Sequence, residues 1–180
     1  MCTLTENQFA EDQVLADVSE WTGRGPLVSL ILDVTSAVEW PKAAVPVAGL
    51  GQTGPRPQML LTLLTYCYAT GCLGSDDIER GAARNPTLRY LCTGAQPSSE
   101  QVRRFRRGHR TLIMWCLGKA LLSAWQFRLW LGLANDAGTD LPEWLGPDTW
   151  SDAAAAVFFA RVAEQRLDHA ALLDTMALDD

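Results

Sequence analysis

The chain has 180 residues and a formal net charge of −6, a length that suits one domain able to hide roughly 70% of its unfolded surface. Hydrophobic residues at 48% against 20% charged exclude wholesale disorder. The 14 Gly and 9 Pro are scattered, which excludes a fibrous or low-complexity chain, and the length excludes a large multidomain enzyme.

Helical signals dominate from the start. Phe9, Val14, Leu15, Val18 and Trp21 predict an amphipathic helix over 8–21. Gly23-Arg24-Gly25 breaks it, and Pro26 opens a second helix to about Trp40. Four Pro and three Gly over 41–57 predict an irregular connector, with Val45-Pro46-Val47 its one extended piece. Pro57 then starts a strongly apolar helix to about Cys72, ended by Gly71 and Gly74. Ser75 is the expected N-cap of a short helix over 76–84, whose Asp76, Asp77 and Glu79 suit its positive end. Asn85-Pro86 closes it, and a brief helix follows over 87–92. Ser98 with Gln101 forms a capping-box pattern that starts a long helix to about Ala134. Gly108 and Gly118 each weaken that helix by about 1 kcal/mol relative to Ala, and either is a potential bend. A loop over 135–147 leads to a final helix, capped by Asp148 or Ser151 and running to about Met176. The expected fold class is therefore all-α, a helical bundle without significant sheet. Three parts are expected: 1–54 as helices and connector, 55–112 as the region of the short helices, and 113–180 as a helical extension.

No secretory segment is expected, because Met1-Cys2-Thr3-Leu4-Thr5-Glu6 has neither a basic nor an apolar stretch. The 19 uncharged residues over 57–75 carry Pro57, Gln58, four Thr/Ser and two Tyr, so a buried helix fits better than a membrane span. Lys119, Gln126 and Arg128 likewise interrupt the apolar run over 111–134. Cys2, Cys67, Cys72, Cys92 and Cys116 show no metal-ligand spacing. They are read as buried thiols of a reducing, cytoplasmic location, with no metal and no cofactor expected.

The net charge conceals a basic island. Positions 1–79 hold three basic and ten acidic residues, and 111–180 hold four basic and ten acidic. Between them, 80–110 holds eight Arg and one acid, Glu100. On a helical wheel at about 100° per residue, with Arg103 at zero, Arg107 falls at about 40°, Arg110 at about 340°, Ser99 at about 320° and Arg106 at about 300°. Arg104 flanks them at about 100°, while Val102, Phe105, His109 and Leu112 occupy the opposite side, between about 180° and 260°. One face is thus packed and the other is an arginine stripe. A short helix, the turn Gly94-Ala95-Gln96-Pro97-Ser98 and a capped cationic helix are the parts of a helix-turn-helix reader. Arg in place of Lys favours bidentate contacts to phosphate or guanine.

These residues carry a resemblance. Pro57-Gln58-Met59-Leu60-Leu61, Tyr66, Gly71, Ser75, Ile78-Glu79-Arg80, Leu88-Arg89-Tyr90-Leu91, Gly94 and Arg104-Phe105-Arg106-Arg107-Gly108-His109 follow one pattern. It is similar to the amino-terminal helical domain of InsH-like DDE transposases of bacterial insertion sequences. There the pattern reads P-x-M-L-L, I-E-R, [RK]-[WY]-L, then F-R-x-x-H, over a span matching about 55–112 here. The resemblance implies a domain that grips element ends, with DNA-facing roles for Arg103, Arg104, Arg106, Arg107 and Arg110. It also implies a nucleoid-associated protein whose duplex partner has inverted-repeat ends. The departure is equally clear. After Arg110 the chain shows no strand-like alternation and about 70 residues, too few for the sheet-based core whose three carboxylates hold two metals.

Other constellations read as structural. Glu164, Asp168 and His169 form a solvated acidic face shared with Arg161 and Arg166, short of a metal site. Cys67 and Cys72, five apart, do not share a helix face. His109 belongs with Phe105 and Leu112. Trp115, Trp125 and Trp130 lie on an apolar helix over 113–134 that needs cover, from Val157, Phe158, Val162, Leu167, Leu172 and Leu173 or from a second copy. The functional expectation is a non-catalytic duplex-DNA-binding protein, stand-alone or one half of a split transposase, contacting DNA through Ser99, Arg103, Arg104, Arg106, Arg107 and Arg110. The alternative is an acidic all-helical interaction module whose arginine stripe docks on an acidic protein. Five arginines on phosphates correspond to a log–log salt slope of about −4 to −5.

Overall fold

A computed structural model describes residues 17–40, 55–132 and 151–177. Among the described residues the chain is all-α, with eight helices and no strand. The helix expected over 8–21 is described only at its end, as α1 (Ser19–Thr22). Gly23 turns the chain at φ 80° into α2 (Arg24–Ser36), which begins two residues before Pro26. The connector at 41–54 and the loop at 135–147 lie outside the described residues.

Pro57 occupies the first turn of α3 (Pro57–Ala69), as its lack of an N–H favours. Every residue from Met59 to Ala69 is buried. A helix apolar all round needs neighbours on all sides, and α3 finds them in α2 and in three helices that follow. These are α5 (Pro86–Leu91), α6 (Ser99–Gly108) and α7 (Arg110–Trp130). Between α3 and α5 stands α4 (Ser75–Arg84). The Asn85 side chain caps α5, accepting from the Thr87 and Leu88 amides at 2.9 and 3.4 Å. The capping box of α6 is complete: Ser98 Oγ accepts from the Gln101 amide at 3.3 Å, and Gln101 Oε1 accepts from the Ser98 amide at 3.0 Å. The chain closes with α8 (Asp152–Met176), capped by Ser151.

One apolar core runs through the three expected segments. Trp21 of α1 meets Trp125 of α7 edge-on at 5.3 Å. Thr35 of α2 and Thr62 of α3 share a buried hydroxyl–hydroxyl bond of 3.0 Å. Phe158, Phe159, Val162 and Leu167 of α8 are buried against α7, whereas Val157 and Leu172 stay exposed. No helix among the described residues is long and apolar enough to cross a membrane.

The long helix expected from Ser98 onward is two helices. His109, at φ −129° and ψ 26°, separates α6 from α7. Gly108 precedes the break, and its missing side chain makes departure from helical geometry inexpensive there. Gly118, the other potential bend, lies within α7 and serves a different purpose. A Cβ there would stand 3.4 Å from Ala160 Cα and 3.5 Å from the Phe159 carbonyl oxygen, so the glycine lets α7 and α8 pack backbone to backbone. A Cβ there stands at ordinary contact distance with little to spare on the α8 side, so bulk added beyond it presses on the α8 backbone. Gly118→Leu is therefore expected to cost about 1–3 kcal/mol of stability through overpacking, measurable as a lower midpoint in chemical denaturation.

Candidate nucleic-acid interface

The arginine stripe is anchored from inside by one of its own members. Arg106 is only 5% exposed. Its guanidinium donates to the Tyr68 hydroxyl at 3.0 Å and pairs with the buried Asp174 carboxylate of α8. Asp174 also accepts from the Ser75 amide at 3.0 Å and from the Ser75 hydroxyl at 2.7 Å. Ser75 is thus the first residue of α4 rather than its N-cap, and the anion at this helix start is supplied by α8. Arg106 therefore leaves the set of expected DNA contacts. On the wheel it stands about 40° from Val102, at the edge of the packed face, and Tyr68 and Asp174 extend that face over it. The Tyr68 hydroxyl is pushed up to about 12 by burial, against the opposing pull of Arg106.

α8 also holds the opposite end of this network. Arg166 is buried and donates to the Tyr68 carbonyl, a cation placed at the C-terminal end of α3 where the helix dipole favours it. It is no part of a solvated face. Asp168 is exposed, yet it pairs with Arg110 at 2.8 Å, linking the start of α7 to α8. Among the described residues no group of three or more His, Cys, Asp or Glu is placed to hold a metal ion.

The outward members of α6 meet acids that the wheel did not include. α4 packs on α6, and Glu79 accepts from the Ser99 amide at 2.9 Å. Arg103 bonds Asp76 at 3.0 Å and the Ser99 hydroxyl at 2.9 Å, leaving 17% of its side chain exposed. The Ser99 hydroxyl, and after it Arg103, holds the Asp76 carboxyl below its ordinary range. Half-buried Ser99 therefore bonds within the protein, joining α4 to α6. Arg104 is exposed and pairs with Glu100 one turn earlier at 2.8 Å. Arg107 is exposed, with no ion-pair partner among the described residues. His109 packs as expected, 4.4 Å from Phe105 and 5.6 Å from Trp40 between ring centres. Burial lowers its pKa, which disfavours the imidazolium.

Around α5 the structure adds residues that the wheel left out. Leu88 and Leu91 are buried, while Arg89 and Tyr90 point outward. Both line a cleft of about 450 Å³ together with Pro86, Gly94 and Gln96. Seven residues connect α5 to α6, including Thr93 at φ 49° and Gly94 at φ 85°. That is longer than the three- or four-residue turn of a helix-turn-helix unit. The arrangement is a helical triplet in which α4 packs on both α5 and α6.

No family model, curated protein or solved structure matches the chain.

The two kinds of arginine on α6 differ sharply in energetic weight. Arg106→Ala leaves a buried carboxylate unpaired and is expected to cost about 3–5 kcal/mol. Arg104→Ala removes an exposed pair and is expected to cost less than about 1 kcal/mol. Urea denaturation of the two variants checks the contrast.

Proposed function

We propose that the chain is a non-catalytic duplex-DNA-binding protein related in kind to the transposase amino-terminal domain, with the outer face of α6 and the first residue of α7 as its contact surface. The supporting observation is the division of labour on α6. Arg106 turns inward to fix the helix, while Arg103, Arg104 and Arg107 remain on the side away from the core. The pairs Arg104–Glu100 and Arg110–Asp168 are exposed, and exposed pairs are weak enough to be exchanged for phosphate oxygens. Arg89 and Tyr90 beside the neighbouring cleft add a second cation and an aromatic face. With Arg106 removed, the contact set is Arg103, Arg104, Arg107 and Arg110, and four phosphate contacts correspond to a salt slope of about −3 to −4.

Anisotropy titration with random duplexes tests this reading. Wild type should bind with that slope, and Arg104/Arg107→Glu, which spares the buried pair, should weaken binding by about tenfold or more while the fold is retained. A folded wild type that ignores duplex at low salt would instead assign the stripe to an acidic protein partner.

A second reading concerns self-association through α7. Of its three tryptophans Trp125 is buried, but Trp115 is 48% and Trp130 is 80% exposed. Trp115 borders an apolar groove of about 300 Å³ between α7 and α8, with Met114, Leu122, Ala156 and Ala160. A second copy seated on this groove would present two α6 faces, as inverted-repeat ends require. Sedimentation equilibrium should then show a dimer in wild type and a shift toward monomer in Trp115→Glu.

A further inference from the structure

Cys67 and Cys72 are brought together by the way α3 ends. The Cys72 amide donates to the Cys67 carbonyl at 2.8 Å, and the Gly71 amide reaches the Tyr68 carbonyl at 3.5 Å. Gly71 stands at φ 79°. These three features make a Schellman termination, in which the left-handed residue folds the chain back over its last turn. The side chains of the two residues joined by the outer bond of this motif frequently meet; here both are cysteines, and their thiols are in contact. A straight helix would hold them on different faces; the glycine reverses the chain and puts one thiol against the other. Both are free thiols, Cys67 fully buried and Cys72 partly accessible.

We propose that Cys67 and Cys72 form a peroxide-oxidisable dithiol site that closes reversibly to a disulfide at the end of α3. Cys72 is the attacking thiol because solvent reaches it. Its contact with Cys67 lowers its pKa, against the raising effects of burial and Asp77. The same contact, with burial, raises Cys67, which therefore waits as the resolving thiol. In the first step the Cys72 thiolate attacks one oxygen of hydrogen peroxide and the O–O bond breaks. Hydroxide departs with the electron pair and collects the thiol proton as water, leaving a sulfenic acid on Cys72. In the second step the Cys67 sulfur attacks the Cys72 sulfur and the S–O bond breaks. The departing hydroxide takes the Cys67 proton as a second water. Two thiols are oxidised by two electrons and one peroxide is reduced to two waters.

The other described cysteines do not compete on equal terms. Cys92 and Cys116 are buried, and burial pushes their thiols up to about 11 and about 12, where little reactive thiolate forms. The proposal is independent of the DNA reading, since none of its groups faces the outer surface of α6.

The test exposes the full, folded and reduced chain to hydrogen peroxide at neutral pH, then unfolds it in guanidinium so that buried thiols are reached, alkylates the remaining thiols and maps the peptides. The expected product has lost two hydrogens, with Cys67 and Cys72 protected from alkylation until dithiothreitol is added. Cys67→Ser should instead accumulate a sulfenic acid at Cys72, captured by dimedone, and Cys72→Ser should lose the reaction at Cys67. Wild type that keeps its helical circular dichroism while both thiols stay open to alkylation would overturn the proposal. So would a disulfide that joins Cys67 to Cys92 or Cys72 to Cys2. The wild-type mapping decides the matter even where a serine variant fails to fold.

Discussion

The buried pair of Arg106 and Asp174 is the interaction on which the arrangement of helices depends. Two charges removed from water need full compensation, since attraction alone does not offset their desolvation. Here both charges have partners beyond each other: Tyr68 takes one guanidinium bond, and Ser75 supplies amide and hydroxyl to the carboxylate. Four helices meet at this point, α3 through Tyr68, α4 through Ser75, α6 through Arg106 and α8 through Asp174. Arg166 adds a second tie from α8 to the end of α3. The carboxy-terminal helix is therefore more than a cover for apolar surface. It ties α6 and α4 together through the single carboxylate of Asp174.

That geometry changes the electrostatic meaning of the basic island. Along the chain, eight arginines face a single acid between positions 80 and 110. In space, Asp76 and Glu79 come from α4 and Asp168 and Asp174 come from α8. The result is graded: a buried arginine fully committed to the fold, two tied to acids across helices, one paired along its own helix, and Arg107 least restrained. Weak exposed pairs preserve orientation without sequestering the charge, because water and mobile ions screen them. A surface so built keeps long cationic side chains extended and exchangeable, the property a phosphate-contacting helix needs.

Two glycines show how small local features carry large consequences. Gly71 accepts a left-handed conformation that other residues resist, and the resulting reversal brings Cys72 back to Cys67. Gly118 faces the α8 backbone at Phe159 and Ala160, on the side where α8 packs most closely on α7. Neither role is visible from helix propensity, where a glycine registers simply as a cost.

What the sequence alone determined is the local order. Period, proline positions and capping patterns located the helices near 57, 75, 86, 99 and 152, because these signals act within a few residues. They also placed Val102 and Phe105 inward and Arg104 and Arg107 outward, but set Arg106 outward with them, where the fold buries it. The break at His109 was legible only as one of two glycine options, since which of them departs from helix depends on what packs there. Tertiary structure decided which charges are free. Arg106 lies 68 residues from Asp174, and Ser75 lies 99 from it. No periodicity links positions so distant, because their pairing follows from how α8 packs on α7 and so carries Asp174 to Arg106 and Ser75. The same holds for Cys67 and Cys72, whose meeting depends on a backbone reversal that a wheel cannot represent. Local hydrogen bonding wrote the helices; long-range packing assigned the roles of the residues upon them.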